Sequence, residues 1–312
     1  LSSYTDGPMI SLYDTLNLTI MGLHVAGGGI PCTKSAILFY DYNVYYDNYY
    51  YFEGGERIYN EYPYNPIENR GIYAKLNLID CRFDSCITNT FGSAVATDYC
   101  DLNIISCLFE YNKALGGGAL YCALDGPYNS DINSDSPDPA KVNKCIIRES
   151  QFFHNESTGT AYDQDGGAIH FSSPYHSYLQ DTLDVDLILQ YGGAEIWDSE
   201  ISYNKAASCG GGVYTNGALV AYRGNTVGSY NTAKLGGFAM DSNIGLQILK
   251  ENVTITHNTA ENIGGAFDML ECGFWAFDNV EISYNEAGNQ AGALCLYYNN
   301  DDLYYYKVAL YN

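Results

Sequence analysis

Between residues 201 and 294 the chain repeats one pattern of apolar and polar residues four times. An apolar or small residue is followed by Ser or Thr, then by Tyr or His, and then by asparagine. The asparagines are Asn204, Asn231, Asn258 and Asn285, and successive ones are 27 residues apart. A small-residue motif such as Gly211-Gly212-Val213 follows each asparagine within seven residues. A fixed repeat of roughly 20 to 50 residues is typical of a solenoid.

Each repeat has room for three short strands. Small or apolar residues alternate with polar residues just before the asparagine, and Leu246-Gln247-Ile248 is typical of a second strand further upstream. This period of two indicates half-buried strands, and the Asn, Asp and Gly residues between them favour turns. The sequence therefore predicts an all-β fold, a single-stranded parallel β-helix solenoid of about 27 residues per coil with three short strands per coil. The usual chirality of parallel crossovers favours a right-handed coil.

Two polar columns follow from this fold, because stacked coils bring equivalent residues together at about 4.8 Å. The first column is an asparagine ladder formed by Asn112, Asn155, Asn204, Asn231, Asn258 and Asn285. The second column lies six residues upstream and contains Asp198, Asn225, Asn252 and Asn279. We interpret both columns as structural and expect no catalytic residue in the chain.

Irregular segments interrupt the repeat. We place the β-helix repeats at residues 76–296, with insertions at 123–144 and 156–190. Residues 1–75 are predicted to form a partial coil and a tyrosine-rich insertion or cap, and residues 297–312 a tyrosine-rich strand segment. Insertions in a solenoid usually emerge as loops, often on the functional face.

The chain is strongly acidic, with 37 Asp and Glu against 14 Lys and Arg and a net charge of −23. Such a surface disfavours nucleic acid and anionic membranes as partners. No apolar run approaches about 18 residues, so the sequence predicts no membrane span. The chain begins at Leu1 rather than at methionine, which suits a processed or fragmentary chain.

Ten cysteines and three Asn-x-Ser/Thr sites point to an oxidising, extracellular or cell-surface location. The glycosylation candidates are Asn17, Asn155 and Asn252. Asn155 also belongs to the asparagine ladder, where its amide is needed for stacking.

The cysteine spacing suggests two disulfide candidates. Cys81 and Cys107 occupy equivalent positions in neighbouring coils, which places them within reach of a disulfide. Cys122 and Cys145 bracket an irregular insertion and are the second pair. No Cys-x-x-Cys motif occurs, which argues against a zinc or thioredoxin-like site.

Many parallel β-helices act on polysaccharides, so an enzyme has to be weighed. A polygalacturonase-like site requires Gly-His-Gly and Arg-x-Lys elements, and the sequence contains neither. No arginine adjoins an aspartate cluster in the repeat register, as a pectate-lyase-like site would require. A glycoside hydrolase requires only two suitably placed carboxylates, and a chain with 37 acidic residues does not exclude such a pair. We expect no enzyme, with a polysaccharide lyase or hydrolase, or a carbohydrate-binding β-helix, as the alternative.

No cofactor is expected except a structural Ca²⁺ ion. Asp131, Asn133, Asp135 and Asp138 place oxygen donors along a short segment, as at the start of a calcium loop. The segment lacks the glycine and the final acid of an EF-hand, and a solvated acidic loop is the alternative.

Two histidines share a column with tyrosines. His154 and His257 occupy the position that is filled in other coils by Tyr111, Tyr203, Tyr230 and Tyr284. Packing at a corner explains this exchange better than metal ligation.

Two stretches of the repeat resemble a known family. Phe109-Glu-Tyr-Asn112 with Gly117-Gly-Ala-Leu120, and Phe152-Phe-His-Asn155 with Gly166-Gly-Ala-Ile169, resemble the repeats of chlamydial polymorphic outer-membrane proteins and related autotransporter-like surface β-helices. The resemblance covers roughly residues 76–296. It implies surface display and adhesion.

The 32 tyrosines are concentrated at residues 40–64 and 297–311. Terminal coils of a solenoid expose unpaired strand edges, and a head-to-tail contact between such edges makes a filament. The assembly candidates are Tyr49, Tyr50, Tyr51, Tyr304, Tyr305 and Tyr306. We therefore expect a non-catalytic extracellular structural protein that self-associates head to tail into a surface fibre. A monomeric surface adhesin that contacts glycans or a host or matrix surface is the alternative.

Overall fold

The computed structural model describes residues 8–13, 17–40, 50–53, 56–59, 74–98, 100–124, 143–160, 164–173, 184–242, 245–297 and 308–310. Within these residues the strands form four parallel sheets, which we call sheets A, B, C and D. The chain visits the sheets in that order once per coil. This arrangement is the parallel β-helix that the repeat predicts.

Each of the four sheets takes one strand from each successive coil. Sheet A contains β1 (Ile10–Tyr13), β5 (Ile37–Tyr40), β11 (Val95–Asp98), β15 (Leu120–Ala123), β19 (Ile169–Ser172), β23 (Val213–Asn216), β27 (Ala239–Ser242), β31 (Phe267–Leu270) and β35 (Leu294–Tyr297). Sheet B contains β2 (Asn17–Met21), β8 (Lys75–Ile79), β12 (Asp101–Ile105), β16 (Lys144–Arg148), β20 (Gly193–Trp197), β24 (Leu219–Arg223), β28 (Leu246–Lys250), β32 (Gly273–Phe277) and β36 (Val308–Leu310). Sheet C contains β3 (His24–Ala26), β9 (Arg82–Asp84), β13 (Leu108–Glu110), β17 (Gln151–Phe153), β21 (Glu200–Ser202), β25 (Val227–Ser229), β29 (Thr254–Thr256) and β33 (Glu281–Ser283). Sheet D contains β4 (Pro31–Cys32), β10 (Ile87–Thr88), β14 (Lys113–Ala114), β18 (Glu156–Ser157), β22 (Lys205–Ala206), β26 (Thr232–Leu235), β30 (Thr259–Ile263) and β34 (Glu286–Ala287).

Three further elements lie outside the four sheets. An antiparallel hairpin joins β6 (Tyr50–Glu53) and β7 (Glu56–Tyr59). A short helix α1 (Val185–Ile188) is followed by a 3-10 turn (Leu189–Tyr191).

We number the coils 1 to 8 from the amino end, so that coil 3 runs from β11 to β14. Successive coils pair in parallel and in register, as Phe83, Phe109 and Phe152 do in sheet C. The strands of sheets A, B and C have three to five residues, which confirms the predicted three short strands per coil. Sheet D adds a fourth strand of only two residues in most coils. A strand this short leaves no alternation that sequence analysis could detect.

Alternate side chains of the longer strands fill the interior of the rod. In β12, Leu102 and Ile104 are fully buried, whereas Asp101, Asn103 and Ile105 are partly exposed. Each fully buried aliphatic or aromatic side chain stabilises the fold by about 1.5–3 kcal/mol. Because the same positions recur in each coil, one continuous core runs along the stack.

The three longest connections, and a fourth of ten residues, leave the coil between sheet A and sheet B. They join β5 to β8, β15 to β16, β19 to β20 and β35 to β36. The other connections from sheet A to sheet B have two or three residues. The insertion at 123–144 therefore lies at this A–B corner. The insertion at 156–190 is divided between an 11-residue connection from β18 to β19, at the corner between sheets D and A, and the A–B connection from β19 to β20.

The amino-terminal region differs from the partial coil expected for residues 1–75. Residues 10–32 place one strand in each of the four sheets, so coil 1 has all four strands. The tyrosine-rich segment interrupts coil 2 between β5 and β8 and contains the hairpin β6–β7. It is thus inserted at the A–B corner.

Helix α1 covers the outer face of sheet B where that face is apolar. Val185 and Ile188 pack with a cluster that includes Leu219, Ile248 and Trp275. The Asp184 side chain accepts a hydrogen bond from the Leu187 amide at 3.0 Å and caps the helix. The connection between β19 and β20 is therefore held against the rod at its carboxyl end.

Candidate functional site

The corner between sheets C and D consists of two residues in coils 2 to 8. In coil 3 these are Tyr111 and Asn112, between β13 and β14. Tyr111 has a φ of +56°, and the equivalent residues of coils 4 to 8 lie between +52° and +59°. This left-handed conformation turns the chain, so that Tyr111 is 57% exposed while Asn112 is fully buried. The C–D corner thus separates an outer aromatic column from an inner amide column.

The six predicted asparagines form one hydrogen-bonded ladder inside the C–D corner. The backbone amide and Nδ2 of Asn204 both donate to Oδ1 of Asn231, each at 3.0 Å. Nδ2 of Asn204 also donates to the Phe152 carbonyl of the preceding coil at 2.9 Å. The same three contacts recur from Asn112 to Asn258 at 2.8–3.1 Å. Each step satisfies buried donors that would otherwise cost about 1–3 kcal/mol each.

An aromatic ladder runs along the outside of the C–D corner. Its six rings belong to Tyr111, His154, Tyr203, Tyr230, His257 and Tyr284. Neighbouring ring centroids are 4.9–5.3 Å apart, and the ring planes differ by at most 25°. The two histidines are stacked between tyrosines, so the structure gives them the packing role that their column indicates. Stacked rings of this kind contribute about 0.5–1.5 kcal/mol per pair beyond their buried area.

An apolar column packs behind the asparagine ladder. Phe83, Phe109 and Phe152 stack with centroids 5.0 and 4.6 Å apart. The column continues through Ile201 to Gly228, where a Cβ would overlap the ring of Phe238. Phe238, which belongs to the small-residue motif, fills the space that a side chain at residue 228 would occupy.

The small-residue motif is explained by two glycine positions. Gly117 has a φ of +55°, which an L side chain rarely adopts. The next residue, Gly118, lies so close to the following coil that a Cβ would overlap the carbonyl oxygen of Gly167. The first glycine makes the turn and the second allows the coils to stack.

These features lie together in one stretch of the chain. Residues 106–123 match the Chlamydia polymorphic membrane protein repeat. The match spans the Phe109–Asn112 corner and the Gly116–Leu120 motif, and it confirms the resemblance seen in the sequence. Within the matched stretch, Phe109 belongs to the inner stack, Asn112 to the ladder, and Gly117 and Gly118 to the close turn. No curated protein and no solved structure matches the chain.

The second polar column is exposed and joined in pairs. The backbone amide and Nδ2 of Asn225 donate to Oδ1 of Asp198 at 2.9 and 3.0 Å. Nδ2 of Asn279 donates to Oδ1 of Asn252 at 2.7 Å. Since these groups face solvent, their hydrogen bonds stabilise the fold less than those of the buried ladder.

Both cysteine pairs lie in the core, and all four residues are thiols in the structure. The Cys81 backbone amide donates to Sγ of Cys107 at 3.4 Å, so the two residues are stacked neighbours as expected. Ser150 and Ser199 continue this column with the same amide-to-side-chain contact. Burial raises the pKa of Cys107 to about 12. The Cys81–Cys107 disulfide stays a prediction.

The second pair brings two strands of the core together. Cys122 of sheet A and Cys145 of sheet B are in hydrogen-bond contact, and burial together with Cys122 raises the pKa of Cys145 well above its usual value. They flank the connection at 125–142, so a bridge here would close its base. This disulfide also stays a prediction.

The glycosylation candidates differ in exposure. Asn17 and Asn252 are exposed, although Oδ1 of Asn252 accepts a hydrogen bond from Asn279. Asn155 is fully buried, and its Nδ2 donates to Oδ1 of Asn204 and to the Phe109 carbonyl. Asn155 is therefore wrong as a candidate in the folded protein, because its amide nitrogen is enclosed by the ladder.

Two groups of predicted residues fall outside the described part of the chain. These are the calcium candidates Asp131, Asn133, Asp135 and Asp138, and the tyrosines Tyr49, Tyr304, Tyr305 and Tyr306. Tyr50 and Tyr51 belong to β6. The described residues contain no group of three or more His, Cys, Asp or Glu side chains placed to hold a metal ion. Among them, no helix has the length and apolar character needed to cross a membrane.

The A–B corner carries two partly buried acidic groups, Asp98 and Asp101, at the ends of neighbouring strands. Burial raises the pKa of Asp98, at the end of β11, to about 7. Burial also raises the pKa of Asp101, against the opposing effects of the Lys144 amide and of the charges of Lys75 and Lys144. The Lys144 amide donates to Oδ1 of Asp101 at 2.9 Å and ties the start of β16 to β12.

The sequence did not indicate that the three longest connections share one corner. Sequence analysis located two of the insertions but did not assign them to a position in the coil. Each of these two connections follows the second strand after a ladder asparagine, Asn112 or Asn155. Counting strands from the asparagine would therefore have placed both at the same corner. The count cannot be made from the sequence, because the first of the two strands belongs to sheet D and has only two residues.

Proposed function

We propose that the protein is a non-catalytic, surface-displayed β-helical rod that binds a partner along its A–B corner. The observation that supports this most is the shared position of the three longest connections and of a fourth of ten residues, each running from a sheet A strand to a sheet B strand. A rigid scaffold with variable loops at one edge is a common arrangement for binding. The polymorphic membrane protein repeat supports display at the cell surface.

The composition of these connections supports binding through contact area and charge. Residues 41–73, 125–142, 174–183 and 298–307 contain 17 of the 32 tyrosines. Tyrosine offers a large amphipathic contact area at low conformational-entropy cost, as in antibody loops. The same segments contain 13 Asp and Glu against 4 Lys and Arg. Charge complementarity then favours a protein or matrix surface with positive charge.

The polar residues of the repeat support a non-catalytic role. The asparagines of the C–D corner use their donors within the ladder, and the aromatic rings beside them cover one another's faces. These side chains maintain the stack, and the variable segments remain for recognition.

Deletion of one connection tests the proposal. Removal of residues 125–142 joins Leu124 to Asn143 and leaves a two-residue connection, as at Gly217–Ala218. We expect a folded rod that binds a poly-lysine-coated surface, or intact cells, less than the full chain does. A second variant with Asp131, Asp135 and Asp138 changed to Asn separates charge from contact area.

The matched control removes acidic charge elsewhere. Glu200→Gln and Glu281→Gln lie on the outer face of sheet C and should leave binding unchanged. Equal binding by the full chain and by a variant that lacks all four long connections would overturn the proposal.

End-to-end assembly is a second candidate, because the last coil is open among the described residues. Ile282 of β33 and Leu294 of β35 are only partly buried, whereas Ile255 and Phe267, which occupy the same positions one coil earlier, are fully buried. A second copy could cover these side chains and pair with the strand edges. Negative-stain microscopy of the full chain should then show fibres that Ile282→Lys disperses without reducing binding along the A–B corner. Monodisperse particles at high concentration would contradict the fibre.

A further inference from the structure

A polar pair lies inside the otherwise apolar rod in coil 7. Asp241 of β27 and Gln247 of β28 are both fully buried. Nε2 of Gln247 donates to Oδ2 of Asp241 at 3.0 Å and to Oγ1 of Thr215 at 3.1 Å. The backbone at Gly245 passes so close to the carboxyl that a Cβ there would overlap it. The chain itself therefore closes the carboxyl off from solvent.

Two oxygen atoms of this pair, Asp241 Oδ1 and Gln247 Oε1, have no hydrogen-bond partner in the structure. When Asp241 is ionised, both atoms are acceptors and neither can satisfy the other. A proton on Oδ1 turns that atom into a donor to Oε1. With the existing Nε2 contact, the two side chains would then share two hydrogen bonds in an eight-membered acid–amide ring.

We propose that Asp241 is a neutral carboxylic acid in the folded protein and that its pairing with Gln247 forms a proton-dependent latch between sheets A and B. This inference goes beyond the proposed binding function and does not depend on it. The latch joins the two sheets on either side of the A–B corner, in a coil whose own A–B connection has only three residues.

The surroundings of Asp241 provide no positive charge to hold an ionised carboxylate. Its neighbours in sheet A are Thr215 of β23 and Met269 of β31, and Cys272 contacts it from the connection before β32. Tyr222 of β24 is also fully buried, and burial raises its pKa well above the usual value, with a smaller contribution from Asp241. Burial raises the pKa of Asp241 to about 7, against the opposing effects of Gln247, Thr215, Cys272 and the Ser242 backbone. None of these neighbours is a base, and burial therefore favours the neutral carboxyl below about pH 7.

The latch predicts that stability falls as the pH rises. The unfolded chain loses the Asp241 proton near pH 4, whereas the folded protein keeps it up to about pH 7. The folded state therefore binds more protons in this window, and the stabilising contribution is lost as the pH rises through it. Above the folded-state pKa the rod carries the cost of an ionised buried group.

Asp241→Asn tests the latch, because the amide keeps the shape of the acid and supplies the missing donor at every pH. We expect the ratio of unfolding constants, wild type over variant, to rise about a hundredfold between pH 5 and pH 8. Denaturant titrations at each pH measure this ratio. Asp98 and Asp268, whose pKa values burial also raises, are present in both proteins and cancel in the ratio. Thr215→Val removes a hydrogen bond that lowers the pKa of Asp241, so the loss of stability should move to higher pH than in the wild type.

A second measurement does not depend on a variant. The side-chain carboxyl carbon of Asp241, assigned by NMR through its own backbone resonances, should titrate with a midpoint near pH 7 in the native protein. A midpoint below about pH 5, or parallel stability profiles for wild type and Asp241→Asn, would overturn the proposal.

Discussion

The C–D corner and the A–B corner of the same coil respond to insertion in opposite ways. The C–D corner has two residues in every coil from 2 to 8, whereas the A–B connection ranges from two residues to the 34 between β5 and β8. At the C–D corner each asparagine must lie directly beneath the next, because three hydrogen bonds join every step. At the A–B corner the strands on both sides are held by their own sheets. Because the C–D corner fixes the register of the coils, the A–B corner can accept insertions of different length.

Moving an insertion from one corner to the other tests this comparison most severely. We expect residues 125–142, copied between Gly217 and Ala218, to cost about 2 kcal/mol in loop closure, with the β-helix intact. The same segment placed between Tyr230 and Asn231 should abolish the fold of the carboxyl-terminal coils, because it separates a ladder residue from its corner. Urea unfolding and limited proteolysis compare the two. Similar unfolding midpoints would show that the two corners are equivalent.

Substitution within the ladder should have the next largest effect. Asn231→Ala removes the acceptor of two donors of Asn204 and leaves those donors buried without a partner. We expect a loss of about 3–6 kcal/mol in the free energy of unfolding. The matched control is Asn225→Ala in the exposed second column, with an expected loss below about 1 kcal/mol. Comparable losses at both positions would refute the distinction between the buried and exposed columns.

The core behind the C–D corner provides a third test. Phe238→Ala should lose about 3–5 kcal/mol through a cavity, and Gly228→Ile about 1–3 kcal/mol through overlap with the Phe238 ring. The double variant recreates the Ile and Ala pair that Ile255 and Ala266 form in the next coil. Its loss should be smaller than the sum of the two single losses by up to about 3 kcal/mol. Additive losses in a double-mutant cycle would show that the two positions do not share space.

Sequence analysis could predict the C–D corner because the features that build it repeat at a fixed spacing. In coils 5 to 8 the asparagines recur every 27 residues, each directly after an aromatic residue and shortly before a small-residue motif, so the column is visible in the order of the residues alone. The A–B corner could not be placed in the same way, since its connections vary in length and composition. The Asp241–Gln247 pair occurs in one coil, and only the fold brings β27 and β28 together around it. Single contacts between distant residues leave no periodic signal.

The aromatic ladder should show the smallest effect, and it separates stability from binding. Tyr230 stacks between Tyr203 and His257 with centroid distances of 4.9 and 5.0 Å, while 45% of its surface is exposed. Tyr230→Ala loses two ring contacts and should reduce the free energy of unfolding by about 1–2 kcal/mol. Tyr230→Gly loses the same contacts but adopts the φ of +55° without strain, so it should be the more stable of the two variants.

Binding to the poly-lysine surface should be unchanged in both variants, because the ladder lies at the C–D corner and the proposed binding face lies at the A–B corner. Reduced binding by folded Tyr230→Ala would mean that the exposed ring edges take part in recognition. In that case the C–D corner would both fix the register of the coils and contribute to binding. Unchanged binding together with a measurable loss of stability would instead show that an exposed aromatic column can serve the stack alone.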